Sequence, residues 1–355
     1  MSSADLAAQP GAAAGPRAGP GHPDGDWLGS VHAALDWWAA TEPGWPTSSV
    51  LGSGAIAAAE AAFSERHDGR PALLLPSATY ALRVALQATG VTAGDQVICG
   101  AIDWPAGYAA IASLGAVPVP VAADPLTLTL DPAAAAAART RETRAVLACH
   151  LHGVCADVPA LRRLLPGVPV IEDAAQAFGS RLDGRLAGTM GDAAVLSLGP
   201  GKQIDAGEGG VLLCRGRARY QRAVAIACHP LRLLLAGQPP PAPAVLSVRP
   251  HPVAAILALH RLAGWSAVAG RSGHEETARR LAGHASLRLL GDARRHQSSQ
   301  PRVPVLLPAG RPALPPPGLS WLPSAAGVLP GLAAPERRRA ARLLARVRLA
   351  ASTGR

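Results

Sequence analysis

Between Trp27 and Ala227 the chain alternates two hydrophobic patterns: short unbroken apolar runs, and longer stretches with apolar residues at every third or fourth position. The first pattern predicts strands at Ala72–Leu75, Gln96–Cys99, Val117–Val121, Ala145–Cys149, Val168–Ile171, Ala193–Leu198 and Gly210–Cys214. The second predicts helices at Trp27–Ala40, with Trp37 and Trp38 as packing anchors, and at Thr79–Thr89, Pro132–Ala138, Val158–Leu164 and Arg217–Ala227. Strands that are apolar at every position are buried on both faces. Their alternation with helices across short Gly- and Pro-bearing turns predicts an α/β fold, a mostly parallel central sheet flanked by helices.

The pattern breaks after Ala236. Gly237–Pro243 is Pro-rich, a helical stretch runs from His251 to about Leu262, and another helical pattern, a short strand at Val303–Leu307, a Pro-rich segment and an Arg-rich helix follow. These shifts predict a flexible leader over 1–25, rich in Ala, Gly and Pro without periodicity, a large domain over 26–237, and a smaller C-terminal domain over 238–355.

Composition narrows the function classes. With 355 residues, 49% of them hydrophobic, the chain can bury a sizeable core, which excludes a disulfide-stapled mini-protein and global disorder. The most apolar stretch, Val253–Ala269, is broken by His260 and Arg261, short of the roughly 18 residues that a membrane span needs. No basic segment leads into an apolar signal core at the N-terminus, and five scattered cysteines suit a reducing compartment, so a cytoplasmic location is expected. The net charge of +10 raises the question of nucleic acid. However, 33 of the 34 basic side chains are arginine, a compositional drift shared with the abundant Ala, Gly and Pro, and the main cluster (Arg337–Arg339, Arg342, Arg346) has few aromatics beside it. Neither a nucleic-acid nor a membrane partner is expected.

The one lysine, Lys202, has a chemical meaning that arginine cannot take over. A guanidinium does not lose its proton, whereas a desolvated amine can, and only the free amine attacks a carbonyl. Lys202 lies in a glycine-rich loop, after Gly199-Pro200-Gly201 and before Gly207-Glu208-Gly209-Gly210. This is not a phosphate-binding P-loop, because Leu196 stands where that motif needs glycine and Gln203 where it needs Ser or Thr. Gly52-Ser53-Gly54 with Ala57 lacks the strand and the acidic residue of a dinucleotide site. Cys149, His150, His152 and Cys155 have no second ligand pair, and read as a buried strand followed by a polar turn rather than as a zinc site.

A constellation remains at the carboxyl ends of the strands, where α/β sheets bind ligands. Pro76-Ser77-Ala78-Thr79 opens a helix, either as a plain N-cap or as a phosphate site. Trp104 follows the second strand, as a core residue or as a plane to stack on a heterocycle. Glu172-Asp173 follows the strand at Val168, as a helix cap or as the partner of a protonated ring nitrogen, and Ser197 closes the strand before the lysine loop. A phosphate site, a stacking ring, a carboxylate and a lysine are what pyridoxal 5'-phosphate requires.

At these residues the chain resembles the DegT/StrS-type sugar aminotransferases, pyridoxal-phosphate enzymes of fold type I. The resemblance covers roughly half the chain, Gly52 to Ala227, through SATYAL (77–82), GDQVI (94–98), LGAVPVPV (114–121), HLHG (150–153), EDAAQAFG (172–179), GDAAVLSL (191–198) and GKQIDAGEGG (201–210). It implies Lys202 as the Schiff-base lysine and proton shuttle, and Asp173 as the partner of the pyridine nitrogen. It further implies Trp104 stacked on the ring, Gln176 at the 3'-oxygen or ring face, and Ala78, Thr79 and Ser197 around the phosphate. Transamination is implied, from an amino acid (glutamate or glutamine) to a keto sugar or keto-cyclitol, by a homodimer whose sites straddle the interface.

The chain departs from the family pattern at three points. Ala78 replaces a glycine, Asp103 stands where Thr is common, and Ser247-Val248-Arg249 replaces an Asn-Tyr/Phe-Arg segment whose Asn reaches the neighbouring subunit's cofactor phosphate. The second domain is also short and Pro-interrupted. A catalytically degenerate member, acting as a partner or scaffold subunit or with altered pyridoxal-phosphate chemistry, is therefore the alternative reading.

Overall fold

The structure is a computed structural model that describes residues 27–41, 48–235, 237, 248–266, 275–276, 278–281, 287–300, 303–307, 319–323, 327–328, 334–344 and 347–352. The expected leader over 1–25, most of the Pro-rich boundary, Ser247 and Arg346 lie outside the described residues.

Helices α1 (Trp27–Thr41) and α2 (Ala55–Arg66) precede strand β1 (Ala72–Leu75). Then come α3 (Ala78–Ala88), β2 (Gln96–Gly100), β3 (Ile102–Asp103), α4 (Pro105–Ala112), β4 (Val117–Val121), α5 (Pro132–Ala137), β5 (Thr143–Cys149), α6 (Val158–Leu164) and β6 (Val170–Asp173). A small hairpin, β7 (Arg181–Leu182) and β8 (Arg185–Leu186), leads to β9 (Ala193–Ser197), β10 (Gly210–Cys214), α7 (Arg217–Ala227), α8 (Pro230–Leu235) and α9 (Pro252–Gly264). The C-terminal part carries β11 (Arg288–Leu289), β12 (His296–Gln297), β13 (Val303–Leu306), β14 (Leu319–Pro323), β15 (Gly327–Val328), α10 (Ala334–Leu344) and β16 (Val347–Ser352).

The seven strands predicted between Ala72 and Cys214 all occur, in one sheet of order β1-β10-β9-β6-β5-β2-β4. Strand β10 runs antiparallel to both its neighbours, and every other pairing is parallel. The sheet separates two cores because strand side chains alternate between faces. Leu74, Ile98, Val146, Val170, Leu196 and Val211 point to one face, where they meet α1, α2, α5, α6 and α9. Leu73, Val97, Leu147, Ile171, Val195 and Leu212 point to the other, against α3, α4 and α7. Each fully buried Leu, Ile or Val contributes about 1.5–3 kcal/mol of transfer free energy, which is why these runs carry no polar position.

Trp38 is buried and Trp37 half-buried, the latter edge-on to His260 of α9 with ring centres 5.8 Å apart. Ala255, Ile256, Leu257, Ala258 and Leu262 of α9 belong to the same core as α1 and α2. Farther along, β11-β13-β16-β14 form a four-stranded antiparallel sheet, β12 pairs with β7, and β15 pairs with β3 through Gly327 and Asp103. The C-terminal residues thus close over loops of the large sheet.

Three helices, α2, α4 and the short α8, lie where the sequence pattern predicted none. In α2 (AIAAAEAAFSER) and α4 (PAGYAAIA) alanine occupies inner and outer positions alike, so the helical period is nearly erased. The Gly52-Ser53-Gly54 turn leads into α2, and the Arg232 guanidinium packs against Gly52 where a Cβ would stand.

Candidate active site

Strand β6 runs two residues beyond its predicted end, because Glu172 and Asp173 pair in register with Ala148 and Cys149 of β5 and His150 N–H donates to the Asp173 carbonyl at 3.0 Å. Both acids are therefore fixed by the sheet. Their side chains, on successive positions, face opposite ways.

Glu172 turns into the protein. Its Oε2 accepts from His150 Nε2 at 2.9 Å and Gly188 N–H at 2.8 Å, while Oε1 accepts from Met190 N–H at 2.8 Å and Gly191 N–H at 2.5 Å. Ala156 N–H donates to His150 Nδ1 at 3.0 Å, so the ring proton resides on Nε2 and points at Glu172. Burial works against the charge on Glu172, but these donors outweigh it and hold its carboxyl below the usual carboxylate range. Both ring nitrogens of His150 are committed to protein atoms, which accounts for this histidine without a metal.

Asp173 is the exposed end of this scaffold in chemical terms, although only 2% of its surface meets solvent. Its Oδ1 accepts Ala175 N–H at 3.1 Å, and among the described residues its Oδ2 accepts no hydrogen bond. Burial raises its carboxyl above the ordinary value, partly offset by the Ala175 N–H and by the positive charge of Lys202. Lys202 reaches in from the loop after β9, and its Nζ lies 5.8 Å from the centre of the Trp104 ring. Trp104 is the N-cap residue of α4, presented by β3. The loop holding Lys202 is pinned by Asp205, whose Oδ2 accepts Gly201 N–H at 2.7 Å and whose Oδ1 accepts Gly207 N–H at 2.9 Å.

A second cluster lies where β1 and β9 end and β10 begins. Ser77 caps α3: its Oγ accepts Tyr80 N–H at 3.2 Å and its carbonyl accepts Ala81 N–H at 3.0 Å. Among the described residues no acceptor takes the N–H groups of Ala78 and Thr79 at the positive end of the helix. Ser197, at the end of β9, is the Cα partner of Gly210, and its Oγ accepts Gly199 N–H at 3.3 Å. Gly210 is glycine for a steric reason: a Cβ there would sit 2.6 Å from the Ser77 carbonyl and from Ala78 N. The SAT and GEGG strings are thus two sides of one close approach.

Gln176 is placed differently from a free ligand group. Its Oε1 accepts His152 N–H at 2.9 Å and so steadies the turn 151–153, in which His152 takes the left-handed conformation (φ 58). The structure also brings in residues that sequence reasoning did not count as part of the site. Asp103 is buried beside Trp104, with its Oδ1 accepting the Trp104 N–H at 2.7 Å. His150 and Glu172 stand behind Asp173, and Asp205 behind Lys202. The signal for Asp103 was its departure from Thr; the pairing of His150 with Glu172 across two strand ends has no local signature.

The profile of the DegT/DnrJ/EryC1/StrS aminotransferase family matches residues 48–233. An L-glutamine:2-deoxy-scyllo-inosose aminotransferase of Micromonospora echinospora is 42% identical over 165 residues, 46% of this chain and 39% of that protein. A 3-amino-5-hydroxybenzoate synthase of Amycolatopsis mediterranei is 38% identical over 165 residues, 46% of this chain and 42% of that protein. The alignments thus span about two-fifths of the length of these curated relatives. Among solved structures, 3-amino-5-hydroxybenzoic acid synthase superposes with a TM-score of 0.67 at 28% identity, covering 80% of this chain and 74% of that one. DesV of S. venezuelae, solved with a ketimine intermediate, superposes with a TM-score of 0.69 at 25% identity, covering 91% and 90%. The fold is that of the fold-type-I aminotransferases, and with more than half its residues inside the family match, the chain belongs to the DegT/DnrJ/EryC1/StrS aminotransferase family.

Proposed function

We propose that this chain binds pyridoxal 5'-phosphate and transfers an amino group from an amino acid, glutamine or glutamate, to a keto-cyclitol or keto sugar in secondary-metabolite biosynthesis. The observation that carries this reading is Asp173: a buried carboxylate with one oxygen unclaimed among the described residues, within the electrostatic reach of the one lysine in the chain. The group fits the residues present. Asp173 Oδ2 offers an acceptor to a protonated ring nitrogen, Trp104 offers a face, and the Ala78 and Thr79 N–H groups with Ser197 offer donors to a phosphate.

When bound, the cofactor supplies an electron sink for the carbon that loses its proton. Asp173 keeps the ring nitrogen protonated, and its carboxylate cannot swing away because β6 and Ala175 hold it. Lys202 is the base that takes the proton from Cα and returns it, and its loop is anchored through Asp205 so that the amine remains over Trp104. Gln176, fixed to the 151–153 turn through its Oε1, would lie at the ring's 3'-oxygen or face. The glutamine donor is supported by relatives named as L-glutamine:scyllo-inosose-type aminotransferases.

The same reading includes a homodimer in the cytoplasm, and a smaller C-terminal part over 238–355 that joins the large domain through β12 on β7 and β15 on β3. Among the described residues no helix is long and apolar enough to cross a membrane. The test is direct. Purified protein with pyridoxal 5'-phosphate should show the yellow absorbance of a lysine adduct, borohydride should fix the cofactor on the Lys202 peptide by mass mapping, and glutamine should bleach the band. Absence of band and adduct would assign the chain to a non-catalytic partner role instead.

A further inference from the structure

Asp103 is a buried acid that the proposed function leaves without a task. It is the last residue of β3, 2% exposed, and its Oδ1 is held by Trp104 N–H at 2.7 Å. The same carboxyl lies against Gly100 of β2 and feels the Cys149 thiol of β5, and Cys149 is in turn the Cα partner of Asp173 across the β5–β6 ladder. Asp103, Cys149 and Asp173 therefore form a continuous row across three strand ends, with an acid at each end. Two buried carboxylates within each other's electrostatic reach cannot both be charged at little cost. The surroundings of the two differ. Asp103 faces Cys99 of β2, Cys149 of β5 and the backbone N–H groups of Trp104 and Gly100, with no cation among them. Asp173 faces the Lys202 ammonium, the His150 ring and Ala175 N–H.

We propose that Asp103 and Asp173 are a carboxyl pair sharing one proton, Asp103 holding the proton and Asp173 the charge, so that Asp103 is a positioning residue that sets how much negative charge Asp173 presents to a ring nitrogen. The proposal rests on the reading that Asp173 receives such a nitrogen. Burial, with Asp173 adding to it, pushes the Asp103 carboxyl up to about 7, so its proton leaves in the neutral range and a second negative charge then stands behind the first. A cationic ring stabilises that charge, so loading of the cofactor draws the Asp103 proton off and cofactor affinity rises with pH through this range.

The test uses three proteins: parent, Asp103→Asn and Asp173→Asn. In the cofactor-free state, infrared difference spectra between about pH 5.5 and pH 8.5 should show the carbonyl stretch of a protonated carboxylic acid lost on titration in the parent. That band should be missing in Asp103→Asn, and its midpoint should fall by about one pH unit in Asp173→Asn, where Asp103 is kept and its like-charged neighbour removed. Next, the pyridoxal 5'-phosphate dissociation constant, read from quenching of tryptophan fluorescence, should improve between pH 6 and pH 8 by at least about threefold more in the parent than in Asp103→Asn. A parent spectrum identical to that of Asp103→Asn, or an unmoved midpoint in Asp173→Asn, overturns the pair. An infrared result as expected, with no cofactor bound by any of the three, supports the pair and overturns the functional reading instead.

Discussion

His150 Nε2 donates to Glu172 Oε2 across 2.9 Å, and neither side chain reaches solvent. Glu172 uses all its acceptor capacity here, on three backbone N–H groups and one imidazole. An amide cannot do so, because its NH2 would face two donors. Glu172→Gln should therefore lower the unfolding free energy by about 3 kcal/mol, measured by urea titration. Because the folded carboxyl is held below its unfolded value, this contribution is complete above the ordinary glutamate pKa and disappears as pH falls through the folded value. The difference between parent and variant should accordingly shrink on acidification.

Lys202→Arg keeps a cation over the Trp104 ring and removes the amine that can lose a proton. Stability should stay within about 0.5 kcal/mol of the parent, since Lys202 is half-exposed, its loop is held by Asp205, and arginine keeps the charge. Amino transfer should fall by about a thousandfold or more, and borohydride should leave no label on the 202 peptide.

Asp173→Asn separates stability from function. Burial raises the Asp173 carboxyl, so the folded protein binds that proton more tightly than the unfolded chain does. The stability tied to it is complete at low pH and is lost as pH rises above the ordinary aspartate value, about 3.9. Asparagine keeps the Ala175 N–H acceptor and never ionises. In cofactor-free protein the variant should gain on the parent in melting temperature as pH rises from about 4 to 8, while turnover with cofactor drops by about a hundredfold or more.

Gly210→Ala tests the corner between the SAT and GEGG segments. The added methyl would meet the backbone of Ser77 and Ala78 at 2.6 Å, and backbone on both sides leaves little room to yield. A loss of about 3 kcal/mol is expected, with weaker binding of inorganic phosphate and of the cofactor by calorimetry.

Apart from the edge strand β4, the strands were legible because they are buried on both faces. Leu73 and Leu74 face different cores, so every position of β1 must be apolar, and the run announces itself. Helices α2 and α4 were not legible: with alanine on both faces, the contrast that marks a helix in sequence vanishes, although burial of Ile56, Phe63 and Ile111 remains. Within the site, Lys202, Asp173 and Trp104 could be read from residue type and setting, and they do converge. The supports could not. His150 and Glu172 lie on different strands, and only the β5–β6 register brings them together. Asp103 was visible as an odd residue, but its neighbours Cys149 and Asp173 are a property of strand order.

The reversed direction of β10 has a consequence for the order in which the site can be built. Strands β9 and β10 are joined by the lysine loop and pair with each other, so the segment carrying Lys202 is a local hairpin that needs few residues to form. Its other edge pairs with β1, which was synthesised well over a hundred residues earlier and has no partner in the sheet except β10. Until Cys214 has emerged, Leu73 and Leu75 have no strand beside them, and the Ser77 turn has nothing to close against. For a growing chain, then, the anion corner is the last part of the sheet to be sealed, and β1 is the strand most exposed to mispairing while it waits.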